Sequence, residues 1–135
     1  SDVYKRQGEK SKNAVREALP EFNRKNSENA SAYIVTTVVL NRSGFDKDGT
    51  AVTEIGNGWA YYDLGLNNMA LLLKATELGI STLVMGIRDG EKLRKEFDIP
   101  ETEAVVSVIA VGYTDSEIVR PKRKSLEDFA KFYEE

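Results

Sequence analysis

Apolar and polar positions along this chain fall into blocks of changing period, and each block predicts an element. From near Lys10, the residues Val15, Leu19 and Phe22 stand at i, i+4 and i+7, one face of a helix that Pro20 must end or kink. The polar cluster from Asn23 to Asn29 leads into Ala32–Leu40, a β-branched run that predicts a strand buried on both faces. Residues 41–58 are polar and Gly-rich, as a surface connection is. From Trp59 to Leu78 the pattern is helical and apolar nearly all round, with Asp63, Asn67 and Lys74 on one narrow polar stripe. Gly79 supplies the stop of this helix, and Ser81–Met85 predicts a short strand running to Gly86. Asp89 is suited to cap a helix over 90–97, closed by Ile99 and Pro100, and Ala104–Val111 predicts a second buried strand. Ser125, with Asp128 three residues on, predicts a capping box for a last helix over 126–133.

The helix over 59–78 needs cover on several sides. A chain of 135 residues, 41% hydrophobic, can bury about one core of its own, which favours a second copy over a core helix inside a monomer. A homodimer through this helix is therefore expected.

Charge and missing residue types narrow the chemistry. The 19 Lys and Arg against 22 Asp and Glu give a net charge of -3, which argues against a nucleic-acid-binding surface. No apolar run approaches the roughly 20 residues of a membrane span, and no signal peptide is read, so a cytoplasmic location is expected. With no Cys and no His there is no disulfide frame, no Cys/His zinc site, no thiol nucleophile and no Ser-His-Asp triad. Carboxylate, Lys, Tyr or Ser chemistry remains, or a cofactor that brings its own reactivity. The segment Asp46-Lys-Asp-Gly49 has a faint likeness to a calcium loop but lacks that loop's later carboxylates, and it reads as a turn with Gly at positive φ. No metal is assigned.

Residues 63–113 (DLGLNNMALLLKATELGISTLVMGIRDGEKLRKEFDIPETEAVVSVIAVGY) run as apolar helix, Leu-Gly-Ile stop, strand ending in Met85-Gly86, charged helix, and strand ending in Val111-Gly112-Tyr113. That order resembles the C-terminal half of the flavin-dependent nitroreductase family. The resemblance extends from about Phe22 to the C-terminus and is strongest between Asp63 and Arg123. It implies an α/β (α+β) fold, a three-layer α/β/α sandwich with a mixed central sheet, in which the helix over 59–78 is the central helix of an intertwined homodimer. It further implies FMN as cofactor, NAD(P)H as hydride donor and a small-molecule electron acceptor such as a nitroaromatic or quinone, in a ping-pong cycle needing no side-chain acid or base.

Two places match the family's flavin contacts. The backbone after the short strand passes the flavin ring in the family, and Met85 and Gly86 hold that place here; the plainer reading is that Gly86 only makes the turn before Asp89. The basic run Arg120-Pro-Lys-Arg-Lys124 has three readings: a solvated loop, a nucleic-acid contact, or a phosphate site beside a helix N-terminus. The resemblance favours the third, with Lys122 and Arg123 matching best and Lys124 as the alternative register.

The family's Arg-Ser-x-Arg segment, which holds the cofactor phosphate, and its Asn-x-Gln-Pro segment near the ring occur nowhere in this sequence. The chain is thus expected to be a family member incomplete at its N-terminus. Residues 1–7 (SDVYKRQ) show no period and read as a non-native or disordered leader, with residues 8–135 as one domain. The alternative function is a non-catalytic dimerising or ligand-binding domain that lacks the flavin site.

Overall fold

The computed structural model describes residues 3–6, 8–117 and 119–133, with the backbone alone for 3–6. In chain order the elements are β1 (Val3–Arg6), α1 (Glu9–Glu17), α2 (Glu21–Asn26), β2 (Ala32–Val39), α3 (Gly58–Glu77), β3 (Ser81–Met85), α4 (Gly90–Glu96) and β4 (Glu103–Gly112), followed by one turn of 3-10 helix at Leu126–Asp128. No helix among the described residues is long and apolar enough to cross a membrane.

The four strands form one sheet in the order β1-β2-β4-β3. β2 and β4 pair along their length, Ala32 opposite Val111 and Val39 opposite Glu103, and β3 continues the sheet with Ser81 opposite Gly112 and Met85 opposite Val108. All of these pairings are antiparallel, where the sequence reading expects a mixed sheet. The unbroken apolar runs of β2 and β4 report burial on both faces, and an antiparallel pair sandwiched between helices has that property as fully as a parallel one. Direction is not encoded in the run.

Val3–Arg6, expected to lie in a leader outside the fold, pairs with Tyr33–Thr36 as an edge strand; Ser1, Asp2 and Gln7 lie outside the described residues. Four residues are too few to show a period, and their pairing is supplied by the open edge of β2.

One bulge organises the faces of the sheet. Thr36 lies opposite Ser107 and Thr37 opposite Val105, so Val106 is the extra residue on β4. Inward and outward positions of β4 therefore change parity, and Val105, Val108 and Ala110 all join Tyr33, Val35 and Met85 in the larger core. α1 and α4, with the residues just past their C-terminal ends, cover that core with Val15, Leu19, Leu93 and Phe97. On the opposite face α3 sets Ala60 and Leu64 on Val38, Leu40, Ala104 and Val106. The layers are helix, sheet and helix, as expected.

The helix between Lys10 and Phe22 is two helices. α1 stops at Glu17, and Pro20, in an extended conformation with ψ of 157°, opens α2. The restart resets the helical phase, so Phe22, expected on the same face as Val15 and Leu19, is 69% exposed while Asn23 is buried. α3 ends in a Schellman motif: Gly79 at φ of +70°, with its amide donating to the Thr76 carbonyl at 3.0 Å and the Ile80 amide to Ala75 at 2.8 Å.

α3 is only half covered. Ala60, Leu64 and Ala75 are buried, whereas Tyr62, Leu66, Met69 and Leu73, spaced i, i+4, i+7 and i+11, are 54% to 64% exposed. That spacing is a single stripe turned away from the sheet, of the kind that seats against another helix.

Candidate functional site

The turn that joins β3 to α4 is held from both ends and open in the middle. Met85, the last residue of β3, is 2% exposed with its side chain in the larger core, so only its backbone is available to a ligand. Gly86 follows on the surface, and a Cβ built there would meet nothing within 4 Å. From the next residue the chain is tied down again. The side-chain amide of Asn23 donates to the Ile87 carbonyl at 3.0 Å, and the Asp89 amide donates to the Ala18 carbonyl at 2.7 Å. The Arg88 guanidinium turns inward and donates to the Val105 carbonyl.

Asp89 closes the turn as the predicted N-cap, its Oδ1 accepting from the Lys92 amide at 3.0 Å. Among the described residues nothing accepts from the backbone amides of Gly86, Ile87 and Arg88. Donors without a described acceptor, on a turn tied at both flanks, suit an acceptor atom at the edge of a planar ring, and nothing stands within 4 Å of a Cβ added at Gly86 to keep such a ring away. On these observations the residues present fit the ring portion of a flavin.

The basic run is built differently. Lys122, Arg123 and Lys124 are exposed, and the hydrogen bonds described for residues 114–133 stay within that segment. No described hydrogen bond or ion pair joins the run to the Gly86 turn. The expected helix over 126–133 is a 3-10 turn of three residues, although its capping box is present, the Ser125 amide donating to Asp128 Oδ2 at 2.9 Å. Glu127 is held below the usual carboxylate range by its own backbone amide and by the Ser125 hydroxyl. Acidic side chains already take the donors at this turn, so any anion held here must rely on the Lys and Arg charges.

Sequence reasoning did not find Asn23 or the inward-turned Arg88. Asn23 and Ile87 are 64 residues apart, and only the break at Pro20 brings the Asn23 amide inward. It also missed an open cleft of about 700 Å³ between the end of β2 and α3, lined by Val38, Arg42, Ser43, Ala60, Asp63 and Asn67. There Ser43 Oγ donates to Asp63 Oδ2 at 2.6 Å. The segment 46–49 is a turn as expected: Gly49 has φ of +85°, and Asp46 Oδ1 accepts from the amides of Asp48 at 3.2 Å and Thr50 at 2.9 Å.

The model of the nitroreductase family matches residues 2–113. Among solved structures, a nitroreductase family protein from Streptococcus pneumoniae is 18% identical with a TM-score of 0.78, covering 98% of this chain and 78% of its own. CLA-ER, an enone reductase of gut-bacterial fatty acid saturation, is 18% identical with a TM-score of 0.82, over 97% of this chain and 76% of its own. An oxidoreductase containing FMN is 23% identical with a TM-score of 0.66, over 96% of this chain and 69% of its own. A search of curated proteins returns no match.

Proposed function

The chain belongs to the nitroreductase family, and on that premise we propose that it is an FMN-dependent oxidoreductase that uses NAD(P)H to reduce nitroaromatics, quinones or similar small acceptors. The observation that carries this reading is the Gly86 turn, whose three backbone amides have no described acceptor while both flanks are fixed. Held by the Met85–Gly86 backbone and by Lys122 and Arg123, FMN would supply the electron chemistry for a ping-pong reduction of the acceptor by NAD(P)H.

The chain's own residues bind and orient. The backbone of Met85 and Gly86 faces the ring, Lys122 and Arg123 hold the phosphate, and no side chain acts as acid or base. A homodimer formed through the exposed stripe of α3 covers that helix and places two sites in one assembly. The exposed position of the basic run, unconnected by any described contact to the Gly86 turn, favours the second reading, a dimerising domain without flavin chemistry.

Titrating the purified chain with FMN and following NADH and NADPH oxidation with a quinone or nitroaromatic separates the two. Flavin binding with acceptor-dependent nicotinamide oxidation upholds the reductase. A dimer that takes up no FMN at millimolar concentration leaves the non-catalytic domain.

A further inference from the structure

α2 turns its polarity inside out: Asn23 is 6% exposed whereas its neighbour Phe22 is 69% exposed. Burying a primary amide and leaving a phenyl ring in water is unfavourable on both counts unless the amide meets a specific partner. That partner is the Ile87 carbonyl, 3.0 Å from Asn23 Nδ2, in the turn that follows Gly86. The α1–α2 corner adds a second tie, Asp89 amide to Ala18 carbonyl at 2.7 Å, and Pro20 between the two fixes the corner itself.

We propose that Asn23 is a positioning residue: by holding the Ile87 carbonyl inward it fixes the Ile87–Arg88 peptide so that the Arg88 amide points the other way, toward a bound flavin ring. The proposal rests on the flavin reading above for its ligand, but the conformational part stands on this chain alone. A carbonyl and the next residue's amide share one planar peptide and point in opposite directions. Pulling the Ile87 oxygen into the protein therefore turns the Arg88 amide toward solvent. Without the Asn23 donor, the half-buried carbonyl has lost its partner and the Ile87–Arg88 peptide is free to rotate.

Three proteins test this: wild type, Asn23→Ala, and Val35→Ala, which removes buried methyls from β2 without touching the turn. Backbone 15N order parameters at Gly86, Ile87 and Arg88, measured without flavin, should stand near about 0.85 in wild type and Val35→Ala and fall below about 0.6 in Asn23→Ala. With FMN, Asn23→Ala should bind about tenfold more weakly, because the freed Ile87–Arg88 peptide must then be ordered on binding. At saturation its visible flavin band should move toward that of free FMN, while Val35→Ala keeps the wild-type band. If Asn23→Ala does not fold, the similarly shaped Asn23→Leu removes the donor without burying a charge and should loosen the turn equally. Wild-type order parameters in the substituted protein, or an unmoved flavin band at saturation, overturns the proposal. A wild type that binds no FMN overturns the flavin reading, and the order parameters still decide whether Asn23 sets the turn.

Discussion

A Cβ placed on Gly44 would stand 2.5 Å from Cδ1 of Trp59 and 3.0 Å from the Gly56 carbonyl oxygen. Gly44 also holds φ at +80°, and its carbonyl accepts from the Val52 amide at 3.0 Å. The loop 41–57 is thereby folded over the first turn of α3, with Trp59 Nε1 donating to Thr53 Oγ1 at 2.8 Å. Gly44→Ala should incur both a left-handed backbone, about 1–2 kcal/mol, and overpacking, about 1–3 kcal/mol. Gly49, at φ of +85° with nothing within 4 Å of an added Cβ, should incur only the first. Urea unfolding of both variants is the comparison, and equal losses would remove the claim that Gly44 is held by contact with the indole.

The stripe Tyr62, Leu66, Met69 and Leu73 makes self-association the second expectation. Leu73→Glu should turn a sedimenting dimer into a monomer while leaving the helical circular dichroism in place, because the side chain touches no core. Leu64 on the opposite face is 2% exposed, and Leu64→Ala should cost about 2–5 kcal/mol of fold stability. A wild-type chain that sediments as a monomer at high concentration contradicts the assignment of this face.

Periodicity carried most of the element boundaries. The run Ser81–Met85 and the Asp89 cap were readable because a β-branched stretch and an Asp before a helical pattern each have a local cause. Gly79 likewise marked the end of α3 through its positive φ. What was not readable is non-local. The direction of β3 relative to β4, the bulge at Val106 and the exposure of Phe22 follow from how elements meet, and a window of sequence holds none of that. In the candidate site, Met85 and Gly86 could be singled out only through the resemblance to the family, since a lone Gly in a strand-to-helix turn is commonplace, and the tie from Asn23 was not legible at all. The short Leu126–Asp128 turn shows the converse, a capping box present in full beside a helix that does not propagate.

Acid should weaken α1 through Glu9. Its carboxylate pairs with Lys12 at 3.0 Å and with Arg16 at 3.1 Å, and these contacts, Lys12 first, hold it below the usual glutamate range. A carboxyl more acidic in the folded state stabilises the fold above its unfolded pKa. That contribution is lost as pH falls through the lowered folded value. Because Glu9 is exposed, the effect is small and screened by salt. Unfolding midpoints of wild type and Glu9→Gln should converge below the ordinary glutamate range and separate slightly above it; parallel curves throughout would show that the pairs add nothing.

The phosphate assignment of Lys122 and Arg123 yields the most discriminating measurement. FMN and riboflavin share a ring and differ in the phosphate, so two exposed cations that hold the phosphate must favour FMN. Hydrogen bonds to charged groups contribute about 1.5–3 kcal/mol when sheltered. In this exposed segment the lower end applies, and the Lys122→Ala/Arg123→Ala variant should lose about tenfold in FMN affinity. Riboflavin binding, which depends on the Gly86 turn, should not change. Added salt should weaken FMN binding to wild type and leave riboflavin binding unaffected. Lys124→Ala tests the neighbouring register, and a loss confined to that variant moves the site by one residue. Equal affinity for both flavins, untouched by either substitution or by salt, reduces the run to a solvated charged loop.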